Sequence, residues 1–262
     1  MSNEIVNCTV HARLCSRQPV SAAWAQLGSN MSAEILAEAG FDVLVIDMEH
    51  APFDLPTLIT LLQSVKGTGC APFVRVPWND MVWIKQVLDA GAYGIHVPYV
   101  STREEAEYAV KSCKYPTVGF RGVAGSQRAV GFGMSKSEYY QKANQEITVL
   151  LAIETGRGAD NIDEIASVDG VDGIFIGPAD LAADLGHIND PDHPEVQAVI
   201  RRIEDGARRH NKFLGTVAPD MASAKALYQR GYSIVYAMSD ASELCRQAVQ
   251  AVSVFRSEIA DV

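Results

Sequence analysis

Apolar runs of strand length recur along the chain, and each is followed by a segment with helical periodicity. The runs are 20–26 (VSAAWAQ), 42–48 (DVLVIDM), 72–76 (PFVRV) and 94–98 (GIHVP), then 147–153 (ITVLLAI), 173–177 (GIFIG), 213–217 (FLGTV) and 233–237 (SIVYA). They are close to continuously apolar instead of alternating, which is the pattern of parallel strands buried on both faces. Eight such strands close a barrel small enough to be filled by its own side chains.

The segments between them carry helix start and stop signals. Asp54 precedes a first turn containing Pro56, while Ser101-x-x-Glu104 and Asp240-x-x-Glu243 read as capping boxes. Gly40, Gly91 and Gly231 stand where three helices should stop. The expected fold is therefore α/β, a single (β/α)8 TIM barrel spanning residues 1–262. A doubly wound open sheet is the alternative, but it usually carries a glycine-rich turn after its first strand, and here only Gly28 is present. Two stretches break the rhythm: 116–137, with five glycines between 119 and 133, and the polar loop 186–195. Loops of that length in a compact domain are more often functional than idle.

Composition narrows the function. The chain has 262 residues, 48% hydrophobic and 21% charged, and a formal net charge of −10. An acidic chain without a clustered basic face is a poor match for nucleic acid. It can still take a small anionic substrate if a metal ion and an arginine reverse the local field. The first twenty residues hold no apolar run resembling a signal peptide, and no apolar stretch reaches the ~20 residues of a membrane span. The expected location is cytoplasmic. The five cysteines are scattered without a CxxC pair, so their spacing suggests neither a zinc site nor a disulfide framework.

A (β/α)8 barrel builds its active site at the C-terminal ends of its strands. Run 42–48 leads into Asp47-Met48-Glu49-His50, 72–76 contains Arg75, 147–153 ends at Glu154, and 173–177 leads through Pro178-Ala179 to Asp180. Glu154 and Asp180 follow consecutive strands and can converge on one ion; two carboxylates without His or Cys suit a hard cation. Asp180 could equally cap a short helix. His50 is the natural acid/base, whereas His96, inside an apolar strand, reads as a satisfied core residue. Arg75 in an apolar strand needs a partner, either Asp47 or Glu49, or a substrate oxyanion. Asp89 reads from position alone as a solvated helix residue. The glycines around Arg157 and at 119–133 match no nucleotide-binding fingerprint.

The segment FDVLVIDMEHAPFD (41–54) resembles the strand-two signature of the class II, metal-dependent pyruvate aldolases of the HpcH/HpaI family. The likeness continues through FVRVPWND (73–80), IKQVLDAGAYGIHVPYV (84–100), YPTVGFRGVAG (115–125), IETGRGADNIDEIASVDGVDGIFIGPADL (153–181) and GHINDPDHPEVQAVI (186–200). It covers nearly the whole chain, with several dispersed motifs in the right order. The resemblance implies Glu154 and Asp180 as metal ligands, His50 as catalytic base and Arg75 as the residue facing the enolate. It implies Asp89 as the acid that tunes the histidine and the Ala179 amide as a contact to the pyruvate carboxylate. The implied cofactor is a divalent cation, Mg²⁺ or Mn²⁺, with Co²⁺ also admissible.

The implied reaction is reversible aldol cleavage of a 4-hydroxy-2-oxo acid to pyruvate and an aldehyde. The implied assembly is a homo-hexamer, a trimer of dimers, with an exchanged C-terminal helix. The stripe Leu244, Ala248, Val252, Phe255 and Ile259 fits such a helix over 240–262. Departures fall on substrate contacts: Ala152 replaces a glutamine found in some members, Ala182 a serine, and the glycine-rich loop reads AGSQRAVGFG. They leave the aldehyde unspecified. Lys85 lies on a helix instead of at a strand end, which disfavours a Schiff-base aldolase. Rival readings are a CoA-ester lyase or oxaloacetate decarboxylase using the same metal enolate, and a non-catalytic keto-acid-binding barrel.

Overall fold

The computed structural model describes residues 8–259. The first seven residues, the start of the stretch searched for a leader, and residues 260–262, the end of the expected last helix, lie outside the described residues. All eight apolar runs are strands: β1 (Val20–Ala25), β2 (Val43–Asp47), β3 (Ala71–Arg75), β4 (Gly94–Val97), β5 (Thr148–Ile153), β6 (Gly173–Ile176), β7 (Phe213–Val217) and β8 (Ile234–Ser239). They pair in parallel in chain order, and β8 pairs back to β1 to close the barrel.

The helices are α1 (Cys8–Cys15), α2 (Asn30–Glu38), α3 (Leu55–Ser64), α4 (Met81–Ala90), α5 (Arg103–Cys113) and α6 (Lys136–Glu146). They continue with α7 (Gly156–Asp160), α8 (Ile162–Ala166), α9 (Pro178–Asp184), α10 (Pro194–Arg209), α11 (Met221–Gln229) and α12 (Asp240–Val254). Asp54 caps α3 through the Thr57 amide with Pro56 in the first turn, and Gly91 closes α4 in the left-handed conformation that favours glycine. Two capping expectations shift by one residue. Thr102 and Glu105 form the box of α5, leaving Ser101 ahead of it. Ser239 caps α12, and Asp240 instead receives the amides of Gln26 and Leu27 and the Ser32 hydroxyl, tying the helix start to the β1–α2 turn.

Side chains alternate across each strand, so the strands have an inward and an outward set. Inward, Val20, Ala22, Trp24, Val43, Val45, Ala71, Phe73, Leu150, Ala152, Phe175 and Tyr236 fill the barrel, with Val10 and Leu14 of α1 plugging its N-terminal end. Outward, Leu44, Ile46, Val74, Ile95, Val149, Leu151 and Ile174 pack against the helices. Small residues make room for rings: a Cβ at Gly94 would lie 2.7 Å from the Phe73 ring, and one at Gly173 would lie 2.3 Å from that of Phe213. The barrel is packed solid below its rim.

The glycine-rich stretch 116–137 turns its arginines inward as struts. Arg128 donates to the Ala90 and Leu62 carbonyls, and buried Arg121 reaches Tyr139. The polar loop 186–195 is held by His187, whose Nε2 lies 2.9 Å from Glu195 Oε2. No described helix is long and apolar enough to cross a membrane.

Candidate active site

The alternation that fills the barrel also delivers its polar rim. The inward sequences Val43–Val45, Ala71–Phe73 and Leu150–Ala152 are each continued, two residues on, by Asp47, Arg75 and Glu154. Register places Asp47 beside Arg75, and Arg75 beside His96.

Arg75 is buried and gripped on one edge. Its Nε and one terminal nitrogen donate to the two Asp47 oxygens at 2.9 and 2.8 Å. Gln26 donates to the same carboxylate and is fixed in turn by Ser239. The Trp24 ring lies under the guanidinium, 4.4 Å from its centroid. Burial pushes the Asp47 carboxyl up, but the Arg75 hydrogen bonds and charge outweigh it and hold the group below its ordinary range. Both structural partners expected for Arg75 are present, because its remaining terminal nitrogen lies 3.1 Å from Glu49 Oε2. That approach lacks hydrogen-bond geometry, and the buried Oε2 has no donor.

Glu49, Glu154 and Asp180 form an electrostatically crowded group. Burial drives Glu154 up to about 7; the Tyr99 amide pulls it back, and Glu49 and Asp180 push it further. Glu49 is likewise driven up to about 7 by burial, against Arg75, with Asp47 and Asp180 adding to the rise. One buried arginine, already neutralised by Asp47, does not balance three further carboxylates. A divalent cation would, and an oxygen-only donor set suits Mg²⁺ or Mn²⁺. The residues present therefore fit a hard divalent ion at Glu154 and Asp180, with the carboxylate of Glu49 adding its charge to the same rim.

Tyr99 links the two expected ligands. Its amide donates to Glu154 Oε2 at 2.9 Å and its hydroxyl to Asp180 Oδ1 at 3.2 Å. It does so from a left-handed backbone, φ 54°, which a bulky residue adopts only when its surroundings hold it there. Trp78 stacks on it at 5.9 Å, and both rings line a cavity of about 260 Å³ that runs outward to Glu104, Glu105 and Tyr108 of α5.

His50 projects from the same rim with its side chain 57% exposed and Nε2 3.7 Å from Glu49 Oε2, open to a ligand. Its amide, with that of Glu49, points at Asp47 Oδ1. Ala179 lies in the first turn of α9, where amides have no intrahelical acceptor, and the N-cap Gly177 offers no side chain to cap them. Its amide is thus available beside Asp180, which is in the first turn and does not serve as the cap.

Two residues differ from their sequence reading. Asp89 is half-buried and not joined to His50: it sits on α4 in a 2.6 Å ion pair with buried Arg121. His96 is a core residue but not a satisfied one. Neither ring nitrogen has a hydrogen-bond partner, and the rings of Trp24, Phe175 and Tyr236 pack around it. Burial holds it neutral, well below the usual imidazole range.

A model of the HpcH/HpaI aldolase/citrate lyase family matches residues 21–247. The 5-keto-4-deoxy-D-glucarate aldolase of Escherichia coli is 45% identical over 240 residues, 92% of this chain and 93% of that protein. The crystal structure of an HpcH/HpaI aldolase/citrate lyase family protein from Burkholderia cenocepacia superimposes with a TM-score of 0.90 at 38% identity, covering 95% of this chain and 99% of that one. An HpcH/HpaI aldolase from Desulfitobacterium hafniense gives 0.88 at 30% identity over 95% and 97%.

Proposed function

The chain belongs to the HpcH/HpaI aldolase/citrate lyase family and is a carbon–carbon lyase, and on that premise we propose that it is a divalent-metal-dependent aldolase that reversibly cleaves a 4-hydroxy-2-oxo acid to pyruvate and an aldehyde. The observation that carries this reading is the mutual crowding of Glu49, Glu154 and Asp180, with Arg75 against Glu49, at the barrel end where such folds do chemistry. The 45% identity to a 5-keto-4-deoxy-D-glucarate aldolase points to a six-carbon keto-deoxy sugar diacid as substrate. Breaking its bond β to the ketone would leave pyruvate and a three-carbon aldehyde acid.

Glu154 and Asp180 would hold Mg²⁺ or Mn²⁺, whose contribution when bound is Lewis-acid polarisation of the keto acid. Arg75 offers N–H groups not taken by Asp47 to the oxyanion that develops at C2, held in place by Asp47 and Trp24. The Ala179 amide, in the first turn of α9, would receive the carboxylate of the keto acid. His50 is the movable base: it would take the proton from the 4-hydroxyl as the C3–C4 bond breaks, and the reverse reaction would return it. Asp89 has no contact through which to act on His50 within one protomer, since Arg121 holds it.

The reading extends to assembly and location. A cytoplasmic homo-hexamer with α12 exchanged between subunits is what the family resemblance implies, and the exposed Leu244, Val252 and Phe255 on that segment support it.

The test is pyruvate release from 5-keto-4-deoxy-D-glucarate. Release should stop after metal removal with EDTA, return with Mg²⁺ or Mn²⁺, and be absent in Glu154→Gln and Asp180→Asn at any metal concentration. Full turnover in metal-stripped buffer would overturn the metal assignment. Turnover of a shorter 4-hydroxy-2-oxo acid without turnover of this diacid would overturn the substrate alone.

A further inference from the structure

The opposite end of the barrel holds a second set of ligand-type side chains. Helix α1 lies across the floor with Val10 and Leu14 in the interior core. His11 and Cys15, four residues apart, share another face of that helix. His11 Nδ1 lies 3.0 Å from the hydroxyl of Thr148, the first residue of β5, which leaves Nε2 facing Cys15 Sγ at 3.5 Å. Asp172, immediately before β6, accepts the Val149 amide on Oδ2 at 2.7 Å. One ligand atom from each of His11, Cys15 and Asp172 lies within 4.8 Å of the others.

We propose that His11, Cys15 and Asp172 form a binding site for a thiophilic divalent cation, with Zn²⁺ as the type, which clasps α1 to the barrel floor between β5 and β6. Thiolate, imidazole and carboxylate are together the donor set of zinc, whereas the all-carboxylate rim at the other end suits harder ions. Zinc ligand bonds of roughly 2.0–2.3 Å put neighbouring ligand atoms within about 4 Å of one another, so the trio needs only a small contraction.

The surroundings are arranged to hold it. Thr148 orients the imidazole from behind and the Val149 amide fixes the carboxylate, the kind of support that metal ligands usually have. Burial raises the Cys15 thiol, to about 11, and the Asp172 carboxyl, and Lys114 and Lys212, anchored on the carbonyls of Ile147 and Val171, act against that rise and favour the anionic forms that a metal takes. Cys15 is exposed, so an ion and a completing water have a path in. An eight-residue helix is marginal by itself, and a cross-link to two strands would fasten it. Sequence spacing hid the site because its third ligand is more than 150 positions away from the other two.

The test is a Co²⁺ titration of the full-length, chelator-stripped protein, reading the thiolate-to-cobalt charge-transfer band in the near ultraviolet. The band should saturate at one equivalent in Asp180→Asn, where the rim ligand is removed, be present in the wild type and in Cys245→Ser, and be absent in Cys15→Ser. His11→Ala should weaken the affinity by about 10-fold or more. No band in the wild type, or a band that survives Cys15→Ser, overturns the site. Zn²⁺ should also raise the Tm of the wild type more than that of Cys15→Ser; equal shifts overturn the clasp.

Discussion

A Cβ on Gly177 would fall 2.7 Å from both Cγ and Oε1 of Glu154. Neither the β6 backbone nor the Glu154 side chain can retreat cheaply, since Glu154 is buried and its other oxygen is held by the Tyr99 amide. Glycine at 177 is therefore a condition for placing the proposed ligand.

Gly177→Ala should leave the barrel folded while displacing the Glu154 carboxylate. Calorimetric titration with Mn²⁺ should show affinity reduced roughly 10–100-fold, the usual cost of disturbing a ligand's support. Unchanged affinity would mean that Glu154 adjusts freely or does not bind the ion.

The Asp47–Arg75 pair links stability to pH. The Asp47 carboxyl is held below its ordinary value of 3.8 in the fold. A depressed folded pKa means that the pair's stabilisation is present above the unfolded pKa and is lost as pH falls through the lower, folded one. Asp47→Asn leaves a buried guanidinium with only Glu49 beside it, so urea denaturation at pH 7 should show a loss of about 3 kcal/mol, the lower end for a broken buried pair. The two proteins should converge below pH 3.8; a constant gap down to pH 3 would place the effect in packing.

His50 is exposed and unanchored at its ring except for the approach to Glu49 Oε2, which suits a group that must move a proton to and from substrate. His50→Ala should slow C3 proton exchange of pyruvate by roughly 10²–10⁴-fold. Its Tm should stay within about 1 °C, since surface substitutions are usually near-neutral. Exchange at the wild-type rate would send the role to another group.

The chain pattern showed the barrel and the strand ends, because a buried parallel strand cannot hide its continuous apolar run and the rim residues follow in the same alternation. It showed Arg75 and Glu154 for that reason, and His50 and Asp180 because they follow closely on the ends of β2 and β6. It could not show Tyr99, whose part is played by a backbone amide in a left-handed conformation and by a hydroxyl reaching across to the first turn of α9. Nor could it show Gln26, which acts only through Asp47. Asp89 reads differently because a helix position says nothing of the loop folded over it: Arg121, 32 positions on, pairs with it and leaves it half-buried. His96 misled in the opposite sense, since an apolar strand predicts burial but not whether the neighbours are donors or bare rings.

The last helix bears on assembly. Asp240 is the one buried residue of α12, anchored by Gln26, Leu27 and Ser32, and from there the helix leaves its own barrel. Leu244, Val252, Phe255 and Ile259 are 62%, 47%, 55% and 53% exposed. A helix closing the outer ring of its own barrel would bury that stripe, and this one does not. So large an apolar face on one segment is what a subunit contact looks like from one side. Light scattering should give a multiple of 28.3 kDa, six subunits under the proposed assembly. Val252→Asp, set in the middle of the face, should lower that mass, because a charge there would have to be buried without a partner. Its effect on the secondary structure of a protomer should be small, since the side chain is 47% exposed in the single chain. A wild-type mass of one chain at micromolar concentration would end the exchange model and leave the stripe without a cover.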